Sequence, residues 1–301
     1  MTDLPPPQPP QAPHPPSLPS TADPAARKAA RRERRREALA DASVPIRKLI
    51  PNLITIAAMC CGFASIYYAS KIDPSSLTSG DGMLKRAVAL IGLSALLDAL
   101  DGRAARLLKV TSRFGETLDS MSDFVSFGIA PSFIIYRWAQ NHTHLAGVNL
   151  DSLLRIALIA FTACSAIRLA RFTAQARKKK LNAKPAPFFS GLPTPAAAGA
   201  ALIPPMLFLS DLEYRLPVIA VIVWMLWLAA HQVSRIPMWS AKGGRVKRQL
   251  IAPLMVTVAI FVGAMATDAW LTVSLVSLLY VLSIPISIAA RKRWDAAHPP
   301  A

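Results

Sequence analysis

The chain has 301 residues, of which 53% are hydrophobic and only 17% charged, and this balance excludes an ordinary soluble domain in favour of a polytopic membrane protein. Its net charge of +17, from 34 Lys and Arg against 17 Asp and Glu, falls between apolar runs, so anionic lipid headgroups explain it and nucleic acid does not. Cys60, Cys61 and Cys164 sit inside apolar segments, with neither metal-site spacing nor a disulfide framework.

Residues 1–38 form a proline-rich and then basic tail. It has no apolar core of a signal peptide and too little apolar surface to fold, so disorder is expected, with Arg27 to Arg36 either a solvated helix or a surface helix on an anionic leaflet. Residues 39–290 read as a membrane domain, and 291–301 as a second tail.

About eight spans are predicted, each near the roughly 20 residues a bilayer needs. The first covers about Ile50 to Ser70, with Pro51 in the first turn, where its missing N–H costs nothing. The second starts near Met83. About 15 residues, roughly 22 Å of helix, lie between there and Asp98. The hydrocarbon core is about 30 Å thick, so Asp98 falls past its middle and Asp101 nearer the far interface. The third runs from Gly115 to about Ala139 and is followed by a polar loop with His142, His144 and Asn149. The remaining spans are about Leu153 to Phe172, Pro195 to Ser210, Leu216 to His231, Leu250 to Ala266 and Trp270 to Ala290. Every second connection is basic: the N-terminus, the 102–113 turn, the 174–190 and 232–249 loops and the C-terminus. That alternation puts both termini and the 102–113 turn in the cytoplasm.

The acidic pairs carry the chemistry. Asp98 and Asp101 are spaced i,i+3, and Asp119 and Asp123 i,i+4, so on helices each pair shares one face. They end two neighbouring apolar spans, where a bare carboxylate costs several kcal/mol. Four converging carboxylates form a divalent-cation site. Gly102 and Ala105 share the face of the first pair, and Gly115 lies one turn before Asp119. Such small residues admit either a neighbouring helix or a flat ligand against the backbone. Arg106, Lys109 and Arg113 around the turn serve topology or balance a phosphate substrate. The residues alone therefore point to metal-assisted phosphoryl transfer on a membrane-embedded substrate, with one carboxylate as base.

The pattern Asp-x2-Asp-Gly-x2-Ala-Arg-x8-Gly-x3-Asp-x3-Asp, filled here by Asp98, Asp101, Gly102, Ala105, Arg106, Gly115, Asp119 and Asp123, resembles the signature of the CDP-alcohol phosphatidyltransferases. The stretches 50–55, 96–103, 112–115, 122–128, 167–172 and 191–196 resemble, within that family, the bacterial and archaeal-type phosphatidylserine synthases. The resemblance implies an all-α membrane helix bundle. It also implies transfer of a phosphatidyl group from CDP-diacylglycerol to the hydroxyl of L-serine with release of CMP, a homodimer in the inner membrane, and two divalent ions, Mg2+ or Mn2+. Asp98, Asp101 and Asp119 would bind metal, and Asp123 would share a metal and act as general base. Gly102, Arg106 and Ser112 would contact the CDP-lipid, with Asn52 and Thr55 as secondary candidates. Arg168 and Arg171 end the fourth span, where either could pair with the serine carboxylate or set topology. Rival readings are the same chemistry with glycerol phosphate, inositol phosphate or choline, a transporter, and a non-enzymatic scaffold.

Overall fold

The computed structural model describes residue 32 and residues 49–79, 81–108, 112–140, 143–145, 148–179, 188–234, 236–239 and 251–297. The proline-rich tail and the Arg27–Arg36 run lie outside the described residues, except for Arg32, which is helical and exposed. Lys109, His142 and the basic positions between 240 and 250 also lie outside them.

Helix α1 (Leu49–Ser70) and helix α2 (Gly82–Leu107) pack closely along their length. The seam is visible in α1: its buried residues are Pro51, Thr55, Ala58, Gly62, Ser65 and Ala69, small side chains every three or four positions that let backbones approach. Ser65 Oγ donates to the Ala87 carbonyl at 2.8 Å and Ser94 Oγ to the Ala58 carbonyl at 2.9 Å. Position rises in one helix as it falls in the other, so the pair is antiparallel. Asp81 caps α2, its carboxylate accepting from the N–H groups of Met83 and Leu84.

The third rod is helix α3 (Arg113–Asp123), a π-helical segment (Phe124–Ile129) and helix α4 (Ala130–Ala139) in continuous succession. Pro131 explains the change of ladder: it has no N–H to donate and its ring crowds the carbonyl one turn earlier, so the helix widens before it. Helix α5 (Asp151–Lys179) follows a short hairpin of β1 (His144–Leu145) and β2 (Val148–Asn149). Helices α6 (Thr194–Ala201) and α7 (Ile203–Leu209) break at Leu202, before Pro204 and Pro205. Helix α8 (Val218–Val233) packs on α5, helix α9 (Ile251–Thr267) on α10 (Ala269–Leu282), and α11 (Ile284–Ala297) follows a break at Ser283 before Pro285.

Strand β3 (Phe188–Ser190) pairs antiparallel with β4 (Pro237–Trp239), from Phe188 opposite Trp239 to Ser190 opposite Pro237. Gly191 closes this junction. Its φ of +77° and the carbonyls of Gln232 and Ser234, 2.9 Å from where a Cβ would stand, admit glycine only. Its N–H donates to the Ile236 carbonyl.

Helices occupy each of the eight expected stretches. By length and composition, three among the described residues suffice to cross a membrane: Leu49–Ser70, Asp151–Ala174 and Ala269–Arg291. Val218–Val233 and Ala252–Thr267 are apolar but shorter. The core joins Phe127, Ile134, Trp138, Phe161, Met225 and Leu228, whereas Phe63 (69% exposed) and Ile159 (67%) face outward, as lipid-facing side chains do. Among the described residues two short ladders lie beside the helices, and the last helix, α11, runs on to Ala297 past the candidate span Ala269–Arg291.

Candidate functional site

Helices α2 and α3 bring Asp98, Asp119 and Asp123 together. One carboxylate oxygen from each lies within 4.8 Å of the others, and all three residues are half-buried. Asp123 Oδ1 is buried with no hydrogen-bond partner. At that separation two like charges repel by about 3 kcal/mol at an effective dielectric constant near 20, so the group is costly without a cation. Three hard oxygen donors and an orphaned buried lone pair fit a divalent metal ion.

Asp101 stands outside this group. It is 5% exposed and its Oδ2 accepts a 2.6 Å hydrogen bond from Thr55 Oγ1. Thr55 in turn is held at both ends, its hydroxyl 3.0 Å from the Pro51 carbonyl and its own carbonyl accepting from Ser122 Oγ at 3.2 Å. Thr55 thus ties α1 to both acid-bearing helices. Thr55→Val keeps the shape and removes the side-chain donor to a buried carboxylate. A loss of about 1–3 kcal/mol is expected, read as a lower melting temperature in detergent, with Thr55→Ser close to the parent.

Asn52 of α1 meets Ser112 and Gly115, distant from it in sequence, at the start of α3. Ser112 is its N-cap, accepting from the Gly115 N–H at 3.0 Å. A Cβ at Gly115 would come 3.0 Å from Asn52 Oδ1 and 3.2 Å from Ser112 Oγ, so the glycine lets these side chains approach without giving way. At Gly102 the nearest atom to such a Cβ is an Arg106 guanidinium nitrogen at 3.9 Å, which leaves the backbone open. Arg106 itself is exposed and turned back, its Nε donating to the Gly102 carbonyl at 2.8 Å, and Ala105 is half-buried beside it.

The two arginines of α5 part company. Arg171 Nη1 donates to the Val233 carbonyl at the end of α8. Arg168 Nη1 donates to Thr194 Oγ1, its Nε is buried without a partner, and its charge interacts with that of Asp123. Arg168 therefore lies near enough to Asp123 for their charges to act on each other, while Arg171 fastens two helices.

Sequence reasoning missed Ser94, Ser122 and Ser126, which bond to α1 carbonyls, and also Gly62, Thr194 and Gln232. The signal for most of them was present in the small-residue stripe of α1, which marks the surface on which both acid-bearing helices sit. Gln232 gave no signal beyond being a polar residue near a helix end.

A family model described as CDP-alcohol phosphatidyltransferase matches residues 48–283, which include every side chain above. The chain is 32% identical over 257 residues to the CDP-diacylglycerol–serine O-phosphatidyltransferase of Mycobacterium leprae (strain TN), covering 84% of this chain and 79% of that protein. It is 37% identical over 150 residues to the protein of that name from Helicobacter pylori (strain J99), covering 50% of this chain and 54% of that one. With the one from Methanocaldococcus jannaschii it shares 40% identity over 116 residues, 38% of this chain and 48% of that one. A membrane helix bundle, a carboxylate group fit for a divalent metal and a match over most of its length all agree: the chain belongs to the CDP-alcohol phosphatidyltransferase family.

Proposed function

We propose that the chain transfers the phosphatidyl group of CDP-diacylglycerol to the hydroxyl of L-serine, giving phosphatidylserine and CMP. The observation that carries the chemistry is the meeting of Asp98, Asp119 and Asp123. The acceptor is supported by the name the relatives carry and by the position of Arg168. In this reading the bundle, residues 39–290, lies in the inner membrane with both termini cytoplasmic. The basic connections face anionic headgroups, and the chain works as a homodimer.

Asp98, Asp119 and Asp123 would hold the metal, Mg2+ or Mn2+, with Asp101 the fourth acid of a two-ion site. Bound there, the metal supplies charge stabilisation to the pyrophosphate and its leaving group. The open backbone at Gly102, with Ala105 beside it, receives the CDP head. Asn52, Thr55, Ser112 and Gly115 line its approach, and Arg106 offers charge to a phosphate once it swings from its own helix. Asp123 accepts the hydroxyl proton of serine. The freed oxygen attacks the lipid-side phosphorus, and the bond from that phosphorus to the CMP oxygen breaks. Arg168 receives the acceptor's carboxylate. Arg171, engaged with the Val233 carbonyl, is not on hand as the second cation that a phosphorylated acceptor would need, which favours serine over glycerol phosphate or inositol phosphate.

Purified protein given CDP-diacylglycerol, L-serine and Mg2+ or Mn2+ is expected to release CMP and phosphatidylserine in equal amounts. A chelator should stop both, and added metal should restore both. Choline, glycerol phosphate and inositol phosphate should be poor acceptors. CMP release that ignores serine but follows one of these, or turnover indifferent to chelation, would refute the reading.

A further inference from the structure

Six side-chain atoms among the described residues are buried with no hydrogen-bond partner: Asp123 Oδ1, Arg137 Nε, Trp138 Nε1, Asp151 Oδ1, Arg168 Nε and Gln232 Nε2. Three of them belong to the end of α4 and the start of α5, where the hairpin β1–β2 joins the two helices. The other three lie on α3, α5 and α8, away from that hairpin. Arg168 interacts with Asp123. Ser165, one turn before Arg168 on α5, donates to Gln232 Oε1 at 2.7 Å. Ser165 also stands against the π-helical segment that follows Asp123, for a Cβ on Gly128 would come 3.2 Å from its Cβ. Gln232 is therefore anchored to the residue one turn before Arg168 and beside the segment that follows Asp123.

Gln232 is 1% exposed, and its burial is hard to explain as packing. A buried amide N–H2 without an acceptor carries its full desolvation cost, and the rest of α8 is almost wholly apolar. Because Ser165 holds Oε1, the planar amide turns its nitrogen away from Ser165. Taken together, the three unpartnered groups offer two donors, one guanidinium and one amide, and one carboxylate acceptor. Two donors fit a carboxylate, and the acceptor fits a hydroxyl proton. A small hydroxy acid presents that combination, and choline does not.

We propose that Gln232 is a specificity residue of the acceptor pocket, its amide N–H sharing the acceptor's carboxylate with Arg168 while Asp123 faces the hydroxyl. This rests on the serine-transfer reading and adds to it the group that distinguishes a carboxylate-bearing alcohol from one without. Ser165 is then a positioning residue, since it orients the amide and touches no substrate.

The test uses the full-length protein in lipid micelles, with initial rates of CMP release measured against L-serine and against serinol, in which a hydroxymethyl group replaces the carboxylate. Gln232→Met keeps the volume and removes the N–H. The KM for serine is expected to rise about 10- to 100-fold, as for loss of a hydrogen bond to a charged group, while the KM for CDP-diacylglycerol stays put and the preference for serine over serinol narrows. Gln232→Glu sets a like charge against the substrate and should raise the serine KM further. Ser165→Ala should move the serine KM in the same direction by less, and it supplies the readout if neither Gln232 variant folds. An unchanged serine KM and an unchanged serine-to-serinol ratio in the variants would overturn the inference, as would a tighter serine KM in Gln232→Glu. A parent protein that releases no CMP in response to serine would instead overturn the serine reading itself.

Discussion

Asp123→Asn is expected to lower turnover by at least about 10³-fold while CDP-diacylglycerol still binds. Two functions are lost together. The buried Oδ1 has no protein partner, so it is free to take a proton or a metal, and an amide in its place can do neither well. Asp98→Asn separates the two roles. Asp98 shares the metal-binding group and lies on the other helix. Its loss weakens metal affinity, and raised Mg2+ or Mn2+ should recover part of the rate. The same excess should recover nothing in Asp123→Asn, because the missing step is acceptance of the hydroxyl proton. Initial rates of CMP release over a metal titration, with binding of the CDP-lipid measured separately, check both variants. Near-parental turnover in Asp123→Asn, or its rescue by metal, would remove Asp123 from the base role.

That prediction was open to the sequence because helical period alone sets Asp119 and Asp123 on one face, and α3 stays α-helical through Asp123 before the π-helical segment begins. Period could not rank Asp98 against Asp101. Both point inward from α2, yet Asp98 meets the pair on α3 and Asp101 meets Thr55. That choice depends on how α2 is rotated against α1, which is set by a seam of small residues and hydroxyl-to-carbonyl bonds rather than by any charge pattern. The same limit separates Arg168 from Arg171: three positions apart on one helix, one feels the charge of Asp123 and the other donates to a carbonyl of α8. The β3–β4 ladder escaped for a different reason. Three residues on each side give no alternation to read, and the pairing joins segments about 50 positions apart through backbone groups alone. The breaks before Pro204 and Pro285 were readable in principle, since proline cannot continue the ladder it enters.

Gly62→Ala is expected to lower stability and activity together. A Cβ at Gly62 would lie 2.2 Å from Ser126 Oγ and 2.8 Å from Ser126 Cα. The hydroxyl can rotate, but the Cα belongs to backbone and cannot yield unless the π-helical segment shifts. That segment begins at the residue after Asp123, and Ser126 Oγ is tied to the Ala58 carbonyl on the same face of α1. Displacing it therefore loosens the packing of α1 on the third rod and drags Asp123 out of register with Asp98. Overpacking of this kind costs about 1–3 kcal/mol where neighbours can relax, and backbone is the least able to do so. A lower melting temperature and a fall in CMP release should appear together. Gly92→Ala and Gly263→Ala place the same methyl where no atom lies within 4 Å, so both should keep the parental melting temperature and rate. The double variant Gly62→Ala with Ser126→Ala separates the side-chain clash from the backbone clash. Partial recovery is expected, because removing the hydroxyl leaves the Ser126 backbone in the way of the new methyl. Full recovery would mean that the hydroxyl alone was the obstacle, and that α1 and the third rod have room to move apart without disturbing the acids between them.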